Sequence, residues 1–450
     1  MPVSAFHDQP FRGFPQVLGL LLLMSFAGSG CDVDAPVPDE VEAADDDGEV
    51  VQAFVGATLL DGTGDAAVDD AVLLVREGRV LDAGSADAVE VPEEARVEDL
   101  SGRHVLPGFV NAHGHVGTAD GLETGGEVHT RENVLRQLEL YAHYGVTSVV
   151  SLGDPGEETL RARDEAGDEG PGRARVWTSG PVLNPGDPEE AEEAVAQHAD
   201  RGVDWIKFRV DDFLGQAEKM QPEVYGAILD AARDHGIPVA AHMVELGDAR
   251  DLLERGVDVL AHSVRDDEVD EAFLDAMTEA DACLTPTFTR EVSTFVYASR
   301  PEFFDDPFFL ETADPEVLDE LTSAEYQSSV AESESAAYFR EALPTAMENM
   351  VAIHEAGGHV ALGTDSGPPA RFQGYFEHME MEMMQEAGMP PEDVVHAATG
   401  RAADCMGLDD VGTLEEGRWA DFVVLDADPT EDITATRSLA GVWIAGERVR

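Results

Sequence analysis

Lysine is almost missing from this chain: Lys207 and Lys219 are the only two in 450 residues. Basic residues of both kinds number 28 against 93 acidic ones, for a formal net charge of −65. Phosphate backbones and anionic lipid surfaces would repel such a chain, which excludes nucleic acid and direct membrane-surface binding. Self-repulsion of this size also opposes compaction unless salt screens it, with a Debye length of about 3 Å at 1 M. The acidic surface is therefore read as a halophilic adaptation. Cysteine is scarce as well: Cys31, Cys283 and Cys405. The last two stand far apart within apolar segments and are expected as buried free thiols, so no disulfide framework is implied.

Only one long apolar run is present, at residues 17–27, after a short polar start with Arg12. It is too short to span a bilayer and reads, within residues 1–31, as a signal peptide. Gly28-Ser-Gly-Cys31 resembles a bacterial lipobox, with Gly28 where leucine is usual. That resemblance implies lipidation of Cys31, plain secretion being the fallback. Residues 32–49, rich in Asp, Glu, Pro and Ala, read as a solvated acidic tether. The expected location is thus outside the cytoplasm: the cell envelope, the periplasm or the medium.

Beyond residue 49 the texture of the chain changes twice. Residues 50–104 carry short alternating strands with turn signals such as Asp61-Gly-Thr-Gly64 and Glu77-Gly78. From residue 105 to 406, apolar β-like runs alternate with helical stretches; the runs fall at 105–113, 147–152, 175–179, 204–210, 237–242, 257–262, 283–288 and 359–364. Eight strands with helices between them predict an α/β fold, a (β/α)8 barrel of the TIM type. Helices are predicted at 132–144, 222–235 and 249–255. Residues 407–450 return to β texture and are expected to complete the sheet begun at residue 51, giving a small composite β-sandwich built from both ends of the barrel. The connection 289–350 is long and aromatic, with Phe295, Tyr297, Phe303, Phe304, Phe308 and Phe309. It could be a lid over the site or ordinary helical packing, and the lid is the expectation, since long ordered loops tend to be functional. The stretch with Met379, Met381, Met383 and Met384 is expected to be core.

In a barrel of this kind chemistry gathers at the carboxyl ends of the strands. The polar residues that close the apolar runs are His113 and His115, Lys207, His242, His262 and Asp365. A two-residue strand period sends His113 and His115 to one face, where two imidazoles can grip one ion. Any one of these histidines could be an ordinary core residue. Four histidines and an aspartate on four different strand ends are hard to explain that way, and together they suit a divalent ion such as zinc. A buried lysine is costly unless paired or deprotonated. Lys207 could pair with Asp211 or Asp212, or lose its proton and react with carbon dioxide to give a carbamate that bridges two metals. His129, His143, His198, His235, His354, His359, His378 and His396 are read as structural.

These residues bring a resemblance with them. The stretch from Leu106 to His115 (LPGFVNAHGH), Gly363-Thr-Asp365 and the stretch from Glu416 to Asp426 (EGRWADFVVLD) resemble signatures of the metal-dependent amidohydrolase superfamily, over nearly all of the mature length. Within it the chain most resembles the imidazolonepropionase-like and prolidase-like groups. The binuclear type implies His113 and His115 on the more buried metal with Asp365, His242 and His262 on the more exposed one, and carbamylated Lys207 between them. It also implies Asp365 as the catalytic proton shuttle and hydrolysis of a C–N bond in a cyclic amide or small peptide-like substrate. A metallodipeptidase or lactonase on the same site is the alternative, and a non-catalytic binding protein on the same fold is a third reading. Arg265, Arg290 and Tyr297 are the candidate substrate contacts, Arg265 because guanidinium binds carboxylate through two hydrogen bonds. Self-association as a homo-oligomer is left open.

Overall fold

A computed structural model of the chain describes residues 50–166 and 172–450. The expectations for the signal peptide, Cys31 and the acidic tether fall outside the described residues. Among the described residues no helix is long and apolar enough to cross a membrane.

The chain enters through five strands: β1 (Gln52–Leu59), β2 (Val68–Arg76), β3 (Arg79–Ser85), β4 (Arg96–Asp99) and β5 (His104–Pro107). The barrel strand β6 (Phe109–Gly114) comes directly after, and a small hairpin, β7 (Ala119–Asp120) and β8 (Glu123–Thr124), lies beyond it. Seven more barrel strands come in order: β9 (Val146–Ser151), β10 (Arg175–Thr178), β11 (Ile206–Arg209), β12 (Val239–His242), β13 (Val259–Ala261), β14 (Cys283–Thr285) and β15 (His359–Val360). The chain ends with β16 (Phe422–Leu425), β17 (Leu439–Ile444) and β18 (Glu447–Arg448).

The first and last groups form one hydrogen-bonded sheet in the order β18-β17-β16-β5-β1-β2-β3, with β4 also on β1. It forks at β1, whose first half pairs with β4 and whose second half pairs with β5. Alternation in β1 and β2 puts Phe54, Leu73 and Val75 on a face with Phe422 and Trp443, and Ala53, Val72 and Leu74 on the other.

The eight barrel strands are parallel and pair in two arcs, β10-β9-β6 and β11-β12-β13-β14-β15. Backbone bonds join the arcs at both seams, Asp204 N to Thr178 O at 2.9 Å and Ala112 N to Leu362 O at 2.8 Å. β6 and β9 are buried at every position, as parallel strands covered by helices on one face and a packed interior on the other must be. The helix Pro222–His235 occupies the predicted residues, opening with proline in its first turn and ending on left-handed Gly236. The other two shift by one to three residues, to Arg131–His143 and Leu246–Glu254.

Three expectations need correction. The apolar run 105–113 serves two sheets: β5 belongs to the small sheet and only β6 to the barrel. Pro107 has no N–H to continue a ladder, and a Cβ on Gly108 would lie 2.1 Å from Thr147 Oγ1, so the chain changes sheets where only glycine fits. Cys283 and Cys405 are not free thiols but a disulfide. They are 122 residues apart, and the packing of the helix Gly400–Cys405 against β6 and β15, the latter paired with β14, brings them together. The connection 289–350 is mostly helical, its longest helix being Glu334–Glu355. Its aromatic residues Tyr297, Phe304 and Phe309 are packed in a buried cluster with Tyr144, Tyr375 and Phe376, as ordinary helical packing rather than as an open flap. Met381, Met383 and Met384 are core, as expected.

Candidate metal centre

The six expected residues converge. β6 carries His113 and ends just before His115; Lys207 lies in β11, His242 closes β12, His262 follows β13, and Asp365 lies beyond β15. The backbone is left-handed at His262 (φ 82°), Thr287 (φ 56°) and Asp365 (φ 56°). Such conformations cost roughly 1–3 kcal/mol each for a non-glycine residue and persist where surrounding structure imposes them, typically at functional sites. Gly367 has a positive φ too, and a Cβ there would lie 2.0 Å from His115 O. The turn after Asp365 thereby lies against His115, just past the end of β6.

Ligand-capable atoms of His113, His115 and Asp365 lie within 4.8 Å of one another. His115 Nε2 is 2.5 Å and His113 Nε2 3.7 Å from Asp365 Oδ1. Lys207 Nζ is 3.0 Å from His113 Nε2, and the ring of His262 stands 4.8 Å from that of His113 and 4.3 Å from that of His242. The opposite ring nitrogens are occupied. His113 Nδ1 faces Thr285 Oγ1 at 3.3 Å, His115 Nδ1 faces Gly153 O at 2.9 Å, and His262 Nδ1 faces Thr287 Oγ1 at 2.6 Å. His242 is turned the other way: its Nε2 faces Asp211 Oδ2 at 3.2 Å, which leaves Nδ1 for the centre. Such partners set tautomer and ring orientation, as around metal-bound histidines generally. The donor set of four imidazoles, a carboxylate and a buried amine fits divalent cations.

Electrostatics point the same way. Burial pushes His113 and His262 well below the usual imidazole range and His242 down to about 4, so all three are neutral donors. Burial brings Lys207 down to about 7. It does not pair with Asp211, which is engaged by His242, or with Asp212, which caps a local turn. Burial alone would raise the Asp365 carboxyl, but Arg371 and then His115 outweigh it and hold it well below the usual carboxylate range.

The expected substrate contacts separate. Arg290 reaches the centre, its Nε 3.9 Å from Asp365 Oδ2. Arg265 is buried and hydrogen-bonded to Glu291 instead of facing the centre. Tyr297 is taken up in the aromatic cluster, its hydroxyl donating to Ala370 O at 2.6 Å. Sequence reasoning missed Arg371, whose Nη1 lies 2.6 Å from Asp365 Oδ2. Its signal was available: basic residues are rare, and this one stands six positions past the ligand. It also missed Glu377 and Glu380, two fully buried carboxylates in the methionine-rich helix Tyr375–Ala387. Burial raises both, Glu380 to about 8.

Comparison with known proteins agrees with this geometry. The family model described as "Amidohydrolase family" matches residues 104–449. An imidazolonepropionase of Streptomyces coelicolor is 27% identical over 400 residues, covering 85% of this chain and 92% of its own. A 5-methylthioadenosine/S-adenosylhomocysteine deaminase of Symbiobacterium thermophilum is 25% identical over 431 residues, covering 84% and 87%. The crystal structure of a Xaa-Pro dipeptidase with bound methionine in its active site shares the fold, with a TM-score of 0.70 at 21% identity over 88% of this chain and 99% of that one. With the family match spanning well over half of its length, and the ligand-bearing strands inside it, the chain belongs to the amidohydrolase family.

Proposed function

We propose that this protein is a metal-dependent hydrolase that cleaves the C–N bond of a small cyclic amide or peptide-like substrate. The observation that carries this reading is the meeting of His113, His115, Lys207, His242, His262 and Asp365 from separate strand ends in one buried site. His113, His115 and Asp365 would hold one divalent ion, zinc by preference, and His242 and His262 a second. Lys207, with its proton affinity lowered by burial, offers a neutral amine that could add to carbon dioxide, forming an N–C bond with loss of one proton, and the carbamate so formed would supply oxygen ligands to both ions. When bound, the cations would supply Lewis acidity and a more acidic water at neutral pH. Asp365 takes the proton from the attacking water and returns it to the departing nitrogen. Thr285, Gly153, Thr287 and Asp211 keep the imidazoles turned inward meanwhile.

The substrate's charge is suggested by Arg290 and Arg371, both beside Asp365 in a chain with few cations. A carboxylate on the substrate suits these two guanidiniums. Arg371 also borders a cavity of about 130 Å³ with Leu140, Phe309, Val317 and Phe372 on its walls, room for an apolar substituent. The Cys283–Cys405 disulfide supports export to an oxidising compartment, and Cys31 remains the proposed lipid attachment.

The test is turnover of a panel of cyclic amides, N-acyl amino acids, dipeptides and lactones, beside metal analysis of the same preparation. The reading expects chelator-sensitive hydrolysis of C–N substrates, favouring those that carry a carboxylate. Turnover confined to lactones would replace it with the lactonase alternative, and full activity without metal would end it.

A further inference from the structure

The helix Tyr375–Ala387 buries two carboxylates for which the metal centre has no direct use. Glu377 and Glu380 are three residues apart, so they project from the same side of the helix. Glu377 Oε1 accepts from Asn111 Nδ2 at 2.6 Å, Thr364 Oγ1 at 2.8 Å and Ser366 Oγ at 2.7 Å. Asn111 Oδ1 in turn accepts from His113 N at 3.0 Å, while Thr364 and Ser366 flank Asp365 on both sides. One carboxylate oxygen therefore ties the His113 turn to the Asp365 turn.

That tie adds side chains to a backbone seam in which Thr364 N and Asp365 N both donate to His113 O, at 3.1 and 2.7 Å, and His115 N donates to Ser366 O at 2.8 Å. β15 is two residues long, and an isolated bridge between Gly114 and Ser366 joins the two turns. The hydroxyls of Thr364 and Ser366 both donate to Glu377 Oε1, which settles the direction of the other bonds they make. Ser366 donates to Glu377, leaving its oxygen to accept from Tyr141 OH at 2.7 Å. Thr364 donates likewise and accepts from Ser366 N at 3.1 Å and Asn111 Nδ2 at 2.9 Å. Glu380 does comparable work one turn along: it accepts from Phe288 N at 2.6 Å, and from Thr289 N and Oγ1 at 2.7 Å each. This pins the segment whose Thr287 hydroxyl orients His262.

We propose that Glu377 is a positioning residue of the metal centre, holding His113 and Asp365 at the separation at which both reach one ion, and that Glu380 does the same for His262 through the segment 287–289. The proposal rests on the metal-centre reading above and concerns how the ligands are held.

The test titrates Co2+ into metal-free wild-type protein, Glu377→Leu, Glu377→Gln and Glu380→Gln, reading the visible absorption of the bound ion and its dissociation constant by chelator competition. Circular dichroism checks the fold of each variant. Wild type should bind and give a defined spectrum. Glu377→Leu should shift the spectrum and weaken binding 10- to 100-fold, the range typical of groups that orient metal ligands. Glu377→Gln keeps an accepting oxygen and should recover most of that loss, which a general packing role would not explain. Glu380→Gln should disturb the second equivalent of Co2+ more than the first. A folded Glu377→Leu with wild-type spectrum and affinity within twofold overturns the proposal. If Glu377→Leu does not fold, Ser366→Ala and Thr364→Val each remove one arm, and wild-type Co2+ behaviour in both overturns it equally. Failure of wild type itself to bind Co2+ would instead remove the metal-centre reading, and the proposal with it.

Discussion

Arg371 and Asp365 form an ion pair in the mouth of the barrel, Nη1 2.6 Å from Oδ2, while Oδ1 of the same carboxylate faces His115 and His113. The residue proposed to move a proton is thus held by a fixed cation on one side and by the two imidazoles proposed as metal ligands on the other.

Arg371→Gln removes the guanidinium, which is the largest influence holding the Asp365 carboxyl down against burial. Its pKa should rise, so the variant should lose activity at a higher pH than wild type as pH falls. A pH–rate profile checks this. An acid limb in the same place would show that the arginine does not set the ionisation of Asp365.

Asp365→Asn keeps the shape and one ligand oxygen but cannot accept the proton. Turnover should fall by about 10²- to 10⁴-fold, the usual contribution of general acid–base catalysis, with most metal retained. Retention of more than about a tenth of the wild-type rate in a fully metallated variant would assign the proton to another group.

Lys207 gives a pH dependence with a definite sign. In the metal-free fold burial brings it from 10.5 to about 7, so between pH 7 and 10.5 the unfolded chain binds the extra proton. Its contribution to stability should therefore rise with pH across that window and level off at either end. Metal uptake in bicarbonate should rise as pH passes 7, since only the neutral amine forms the carbamate. Lys207→Ala should abolish this step and bind close to one ion fewer, with partial rescue by short carboxylic acids. A fully metallated, active Lys207→Arg protein would contradict the carbamate.

Reducing the disulfide, or Cys405→Ser, should destabilise the fold by on the order of 4–5 kcal/mol, because the bond closes a loop of more than a hundred residues in the unfolded chain. It enters at the first residue of β14, at the opposite end of that strand from the metal ligands, so metal content per folded molecule should not change. Calorimetry beside metal analysis separates the two effects.

The acidic surface should make stability depend on salt, since screening relieves repulsion among exposed carboxylates. The melting temperature is expected to climb from low to molar salt. A flat dependence would leave the charge of −65 without a folding role.

What the sequence by itself determined is whatever is local to one strand or helix. His113, His115, His242, His262 and Asp365 could be picked out because each ends an apolar run, Lys207 because a lysine inside such a run is costly, and the order of runs made the barrel legible. Pro222 and Gly236 likewise bounded a helix through their own backbone preferences. Tertiary structure alone decided the rest, because it concerns partners. Cys283 meets Cys405 across 122 residues, and β5 leaves the barrel for a sheet completed by β16 more than three hundred residues later. Nothing in the spacing of Glu377 and Asn111, 266 positions apart, says that one will accept from the other. Their meeting depends on how the barrel closes, and a buried carboxylate shows its purpose only when the donors around it are in place.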